Sequence, residues 1–175
     1  MKSENNLTPV IYVDMDGVLA VWEQGVSEES THENGHFRHK EYEKTAMELT
    51  KKLISAGYKV CILSAVYNDD HSTDDKIWWL NRGGLGDVMH TFVPYGRDKY
   101  AYVNSNKNEL LVVIDDYSKN LKAWADHGYL AVKFMNGFNN LPKLTVAENG
   151  NVHMTLDSWT GYSIDRRMTV DTMYT

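Results

Sequence analysis

The sequence predicts an α/β fold, a three-layer sandwich built on a mostly parallel sheet. Three observations carry that expectation. Short runs of β-forming residues alternate with helix-patterned segments from about residue 10 to residue 135. The run Leu110 to Ile114 is apolar at every position, as a strand covered on both faces should be. The chain has 175 residues, 42% hydrophobic and 24% charged, which is ordinary for one globular domain with a real core.

The elements follow in order. Val10 to Val13 is the first strand, ending at Asp14-Met15-Asp16-Gly17-Val18. Glu23 to His39 is polar and shows no clear period. A helix is expected from about His39 to Ala56, because Tyr42, Ala46, Leu49 and Leu53 share one face and Gly57 supplies a stop. Tyr58 to Leu63 reads as the second strand. Ser72 to Asp75 resembles a capping box opening a helix that runs to Arg82, where Gly83-Gly84 ends it. Trp78 and Trp79 are adjacent and cannot share a helix face, so one of them belongs to the core. The third strand is Met89 to Val93, and a short helix begins near Asp98. The fourth strand is Leu110 to Ile114, the next helix Ser118 to His127, and the fifth strand Tyr129 to Phe134. Asn136 to Asn140 is rich in turn residues. Val152 to Ile164 fits a hairpin or an edge extension, and the last ten residues read as mobile.

Composition excludes some classes of function. A net charge of −6 argues against a nucleic-acid polymer as the main partner but leaves room for a small phosphate ester. Cys61 is the sole cysteine and lies in an apolar run, so a buried, inert thiol in a reducing cytoplasm is expected. The start of the chain is polar, without the apolar core of a signal peptide, and no stretch is apolar enough to span a bilayer.

The chemistry gathers at strand ends. Asp14 and Asp16 lie two apart on an extended segment and point the same way. Such a pair is costly without a cation or a proton. Ser64 follows the second strand, Arg97 and Lys99 the third, and Asp115 and Asp116 the fourth. Together they suit phosphate-ester chemistry on Mg²⁺, a hard ion that prefers oxygen ligands. Asp14, Asp115 or Asp116 and the backbone near Asp16 would hold the ion. Asp14 would attack phosphorus. Asp16 would protonate the leaving alcohol and later activate water. Ser64 and Lys99 would bind phosphoryl oxygens, with Ala65 and Arg97 beside the substrate. Lys107 is a weaker rival to Lys99. Trp22 is placed to stack on a flat group, with Phe37 and Tyr67 near it, although packing against the core explains it as well. Asn120, one helical turn after Asp116, either orients the acidic pair or takes an ordinary exposed helix position, and the two readings weigh equally. His32, His36 and His39 read as a solvated loop rather than a zinc site.

These residues resemble the haloacid-dehalogenase-like (HAD) phosphatase superfamily. Its motifs correspond to Asp14-Met15-Asp16-Gly17-Val18, Ser64, Lys99 and Asp115-Asp116. Within it the chain looks most like the 5′(3′)-deoxyribonucleotidases. Leu19-Ala20 completes their usual opening, and Lys76-Ile77-Trp78-Trp79-Leu80, Arg97-Asp98-Lys99 and Leu111 to Asp116 echo their other motifs. The resemblance implies a Rossmann-like core with strand order 5-4-1-2-3, Mg²⁺ bound by Asp14, Asp16, Asp115 and Asp116, and hydrolysis of nucleoside monophosphates. The nucleotidases carry a helical cap after the first motif. Residues 20–40 are too few and too polar for such a bundle, so a single domain with a minimal cap is expected, residues 136–175 forming an extension. The site would then stay open or be closed by a second subunit of a homodimer. The rival readings are a phosphatase acting on nucleic-acid ends, one acting on another small phosphometabolite, and a catalytically silent HAD-like binding module.

Overall fold

The computed structural model describes residues 7–139, 143–146, 152–155, 157 and 159–167. A six-stranded, all-parallel sheet forms the middle layer of an α/β Rossmann-like fold. Its strands are β1 (Thr8–Val13), β2 (Lys59–Val66), β3 (Met89–Pro94), β4 (Glu109–Asp115), β5 (Leu130–Met135) and β8 (Tyr162–Asp165). The order is β3-β2-β1-β4-β5-β8. The five expected strands take the expected order, and the sheet differs from that expectation by the sixth strand at the β5 edge. Val152–Thr155 (β7) pairs antiparallel with Lys143–Val146 (β6), and β8 extends the main sheet. Of the last ten residues, 168–175 lie outside the described residues, as does Asn140 in the turn-rich loop.

Alternation along the central strands builds two cores. Ile11, Val13, Val60, Ile62 and Ile114 face one side, where they meet Ala46, Met47 and Leu49 of α2 (Lys44–Ser55) and Trp79 and Leu80 of α3 (Ser72–Arg82). Val10, Tyr12, Cys61, Leu63, Leu111 and Val113 face the other, against Leu121 and Trp124 of α4 (Ser118–Asp126). Cys61 is buried, and burial pushes its thiol pKa up, in keeping with an inert role. Trp79 is the core member of the tryptophan pair. Trp78 stays 41% exposed, with the Arg38 and Arg82 guanidiniums over its ring.

Two expected helix starts are displaced. α2 begins at Lys44 rather than near His39, because the preceding residues are bound elsewhere. Phe37–His39 forms a 3-10 turn, Tyr42 bridges Ala20, and Glu43 N–H donates to Leu19 O at 2.7 Å. The capping box at Ser72 does not form. Asp69 accepts from the Ser72 and His71 N–H groups instead, and Asp75 turns inward to accept from Gly35 N and Arg38 Nε. The polar segment before α2 carries one short helix, α1 (Glu28–Thr31), and the 3-10 turn, which packs on α3. No helix among the described residues is long and apolar enough to cross a membrane.

Candidate active site

Strand register brings the motif residues together. Val13 lies beside Ile62 on one side and Ile114 on the other, so the residues that follow them emerge at one sheet edge. Asp14 follows β1, Asp115 ends β4, and Asp116 comes next. Ser64 falls inside β2, which runs three residues past its expected end.

Asp14, Asp115 and Asp116 form the one cluster of potential metal ligands among the described residues, with one carboxylate oxygen from each within 4.8 Å of the others. Lys99 lies 2.7 Å from Asp14 Oδ2 and 2.8 Å from Asp115 Oδ2. Three carboxylates thus share one ammonium, an excess of negative charge in a buried place. Burial raises the Asp14 pKa to about 7, with Asp115 and Asp16 adding to the rise and Lys99 opposing it. Burial pushes Asp116 the same way, reinforced by Asp115 and Asp14. Burial alone would lower the Lys99 pKa, but Asp115 and Asp14 outweigh it and the net shift is upward, so Lys99 stays charged. An all-oxygen donor set that carries two more negative charges than Lys99 offsets, once all three carboxylates are ionised, fits a hard divalent cation.

The geometry of the first loop is set by Gly17. Its φ is +82°, and a Cβ there would overlap the Asp116 carboxylate. Asp116 occupies the space this glycine leaves, and Asn136 Nδ2 ties the two together, donating to Gly17 O at 3.1 Å and to Asp116 Oδ2 at 2.9 Å. Asn139 Nδ2 also donates to Asp116 Oδ2, at 2.9 Å. Asn120 Nδ2 donates to Asp115 Oδ2 at 3.0 Å, the orienting role its helix position suggested.

The Asp16 side chain stands apart from the three-carboxylate cluster. Its carboxylate pairs with Lys76, which also donates to Ser64 Oγ at 2.9 Å and Ala65 O at 2.6 Å. Burial pushes the Asp16 carboxyl upward, but Lys76 outweighs it and the net pKa is lowered. A contribution of Asp16 to an ion therefore falls to its main chain. Lys76 and Asn136 are the residues sequence reasoning missed. Trp79 and Leu80 are core, and residues one helical turn earlier, Asp75 and Lys76, share their face. That spacing was the available signal. Asn136 read as turn chemistry beside Gly137, yet it follows β5 directly, the position from which strand-end residues reach the site.

The remaining candidates are more peripheral. Arg97 is exposed, as is Lys107, so only Lys99 of the three basic residues reaches the carboxylates. Trp22 is 48% exposed. Tyr67 contacts Phe37, His32 and Tyr95 through ring centroid distances of 6.2, 4.1 and 4.8 Å. None of the three histidines joins the metal-ligand cluster. A groove of about 520 Å³ lined by α2 and the end of α3 includes none of Asp14, Asp16, Asp115 and Asp116.

The fold has relatives of known structure. A chain of the Pnkp1/Rnl/Hen1 complex superposes with a TM-score of 0.56 at 14% identity, covering 76% of this chain and 47% of that one. The present chain thus spans about half the length of that neighbour. The D,D-heptose 1,7-bisphosphate phosphatase of B. bronchiseptica, solved with magnesium and phosphate, superposes with a TM-score of 0.50 at 14% identity, covering 73% and 80%. No family profile matches the chain, and no curated protein matches it. At this identity the shared property is the fold.

Proposed function

We propose that the chain is a Mg²⁺-dependent phosphomonoester hydrolase of the HAD class, acting on nucleoside monophosphates. The observation that carries this reading is Lys99 spanning Asp14 and Asp115 beside Asp116, one ammonium among three clustered carboxylates. Asp14, Asp115, Asp116 and the Asp16 main chain would hold the ion, which supplies charge neutralisation for an anionic phosphoryl group.

Asp14 attacks phosphorus, the bond to the leaving oxygen breaks, and the alcohol takes a proton from Asp16. Water then attacks the aspartyl-phosphate while Asp16 accepts its proton, and Asp14 is released. Resting Asp16 is a carboxylate held by Lys76, the form the second half requires. Its Oδ1 is buried and lacks a partner, and the negative charge of an arriving phosphate raises its proton affinity, so that Asp16 takes up one proton from solvent before the first half. Lys99, together with the ion, would hold Asp14 ionised against the rise that burial causes, and Ser64 Oγ donates to a phosphoryl oxygen. The half-exposed ring of Trp22 and the exposed Tyr95 and Tyr117, all just beyond strand-end motifs, support a substrate with a flat base.

Phosphate release from nucleoside 3′- and 5′-monophosphates, sugar phosphates and glycerol phosphates, with and without Mg²⁺, tests the reading. Nucleotides should be preferred and EDTA should stop turnover. Release from none of these esters rejects the reaction, and equal rates on glycerol phosphate reject the nucleotide.

A further inference from the structure

We propose that Lys40 and His36 form a second anion subsite on the leaving-group side of Asp16, built for a phosphate group carried by the substrate's alcohol. The inference rests on Asp16 facing the leaving oxygen, as the proposed reaction requires.

Among the described residues four lysines are buried, and three are well satisfied. Lys76 has the Asp16 carboxylate, Ser64 Oγ and Ala65 O. Lys99 has Asp14 and Asp115. Lys133 has Asp157 and Ser118 Oγ. Lys40 differs. Its side chain is 7% exposed, and among the described contacts its ammonium has one partner, Glu23 Oε2 at 3.6 Å. That distance is too long for a charge-assisted hydrogen bond. Glu23 is itself 48% exposed, free to swing into solvent. A buried ammonium so poorly paired is costly unless an anion completes it.

Two further unsatisfied groups share the neighbourhood. His36 Nε2 and Asp16 Oδ1 are both buried without a hydrogen-bond partner. Ala20 bridges both Asp16 and Tyr42, and Val21 N–H donates to Glu41 O at 2.9 Å, so the segment carrying Lys40 runs along the Asp16 side of the site. Phe37 links the groups, its ring touching His36 edge-on at 5.0 Å and lying 4.4 Å from Lys76 Nζ.

The platform is fixed in advance. Trp79 Nε1 donates to Lys40 O at 2.8 Å, and Asp75 holds Gly35 N at 2.7 Å and Arg38 Nε at 2.5 Å on either side of His36. Lysine is a natural point-charge partner for phosphate, and a neutral imidazole adds one donor. A second phosphate can come from a bisphosphorylated small molecule or from the adjoining nucleotide of a strand.

Calorimetric titration of the full chain carrying Asp14→Asn, in Mg²⁺, tests this without turnover. The probes are adenosine 5′-monophosphate, adenosine 3′,5′-bisphosphate and a 3′-phosphorylated dinucleotide. At least one doubly phosphorylated probe should bind about tenfold or more tighter than the monophosphate. A bisphosphate advantage marks the small-molecule source and a dinucleotide advantage the strand source. Adding Lys40→Met should reduce the advantage to within about twofold, and Lys40→Arg should retain it. Equal affinity for all three probes overturns the proposal, as does an advantage that survives Lys40→Met. Should Lys40→Met fail to fold, Glu23→Gln serves, since releasing the ammonium should enlarge the advantage, and no change overturns it. Phosphate release by the unmodified chain reads the reaction separately, so failure of the reaction and failure of the subsite are distinguishable.

Discussion

Lys99 and Asp14 meet at 2.7 Å with both side chains almost fully buried. The same ammonium holds Asp115 at 2.8 Å, so one cation joins the ends of two neighbouring strands. Lys99→Met leaves two buried carboxylates without their partner. The expected cost is about 3–5 kcal/mol, read as a lower denaturation midpoint in metal-free protein. Added Mg²⁺ should recover part of it, and an unchanged midpoint would contradict the pairing.

Asp14→Asn should reduce turnover by about a thousandfold or more, because the nucleophile is gone. The same variant should be more stable than the parent in EDTA above neutral pH. It replaces a carboxyl that burial disfavours as an anion with a neutral amide of the same shape. Steady-state assays and thermal denaturation check the two halves independently.

The pH dependence of stability follows from the raised Asp14 carboxyl. Its proton is held to about 7 in the folded chain and to about 4 in the unfolded one. The folded state therefore binds the proton more tightly. That stabilisation is complete below about pH 4 and is lost as pH rises through about 7. Metal-free protein should lose stability over this interval. The gain in Tm on adding Mg²⁺ should grow across it, since ion and proton compete for the same oxygens. Scanning calorimetry from about pH 5 to 8, with and without Mg²⁺, measures both, and a gain independent of pH would be incompatible with the assignment.

Gly17→Ala combines a left-handed backbone with a methyl group where the Asp116 carboxylate lies. A cost of about 1–3 kcal/mol is expected. Divalent-ion affinity should fall with it, because Asp116 must move. Calorimetric titration with Mg²⁺ and urea denaturation check the pair, and retained affinity would separate Asp116 from the ion site.

Much of the sheet was legible because its strands are unbroken apolar runs, Val10 to Val13 and Leu110 to Ile114 above all, and these fix register by burial. Asp14, Ser64, Lys99 and the Asp115-Asp116 pair were legible because each falls near a strand end. Lys76 was not, since an isolated lysine in a helix reads as a surface residue until the packing of Trp79 defines the inner face. Lys40 and His36 lie in a segment without periodicity, held by contacts with Asp75 and Trp79 more than thirty residues away. β8 is four residues long and carries two polar ones, so its place in the sheet depends on the partner it finds.

Arg166 follows β8 and donates to Asn136 O at 2.9 Å, pairs with Glu43 at 2.9 Å, and through its own carbonyl accepts from Thr45. Asn136 in turn braces Gly17 and Asp116. The chain's late residues are therefore a strut for its earliest motif. A fragment trimmed after the fifth strand would keep all four motif aspartates and still lose the buttress that aims one of them.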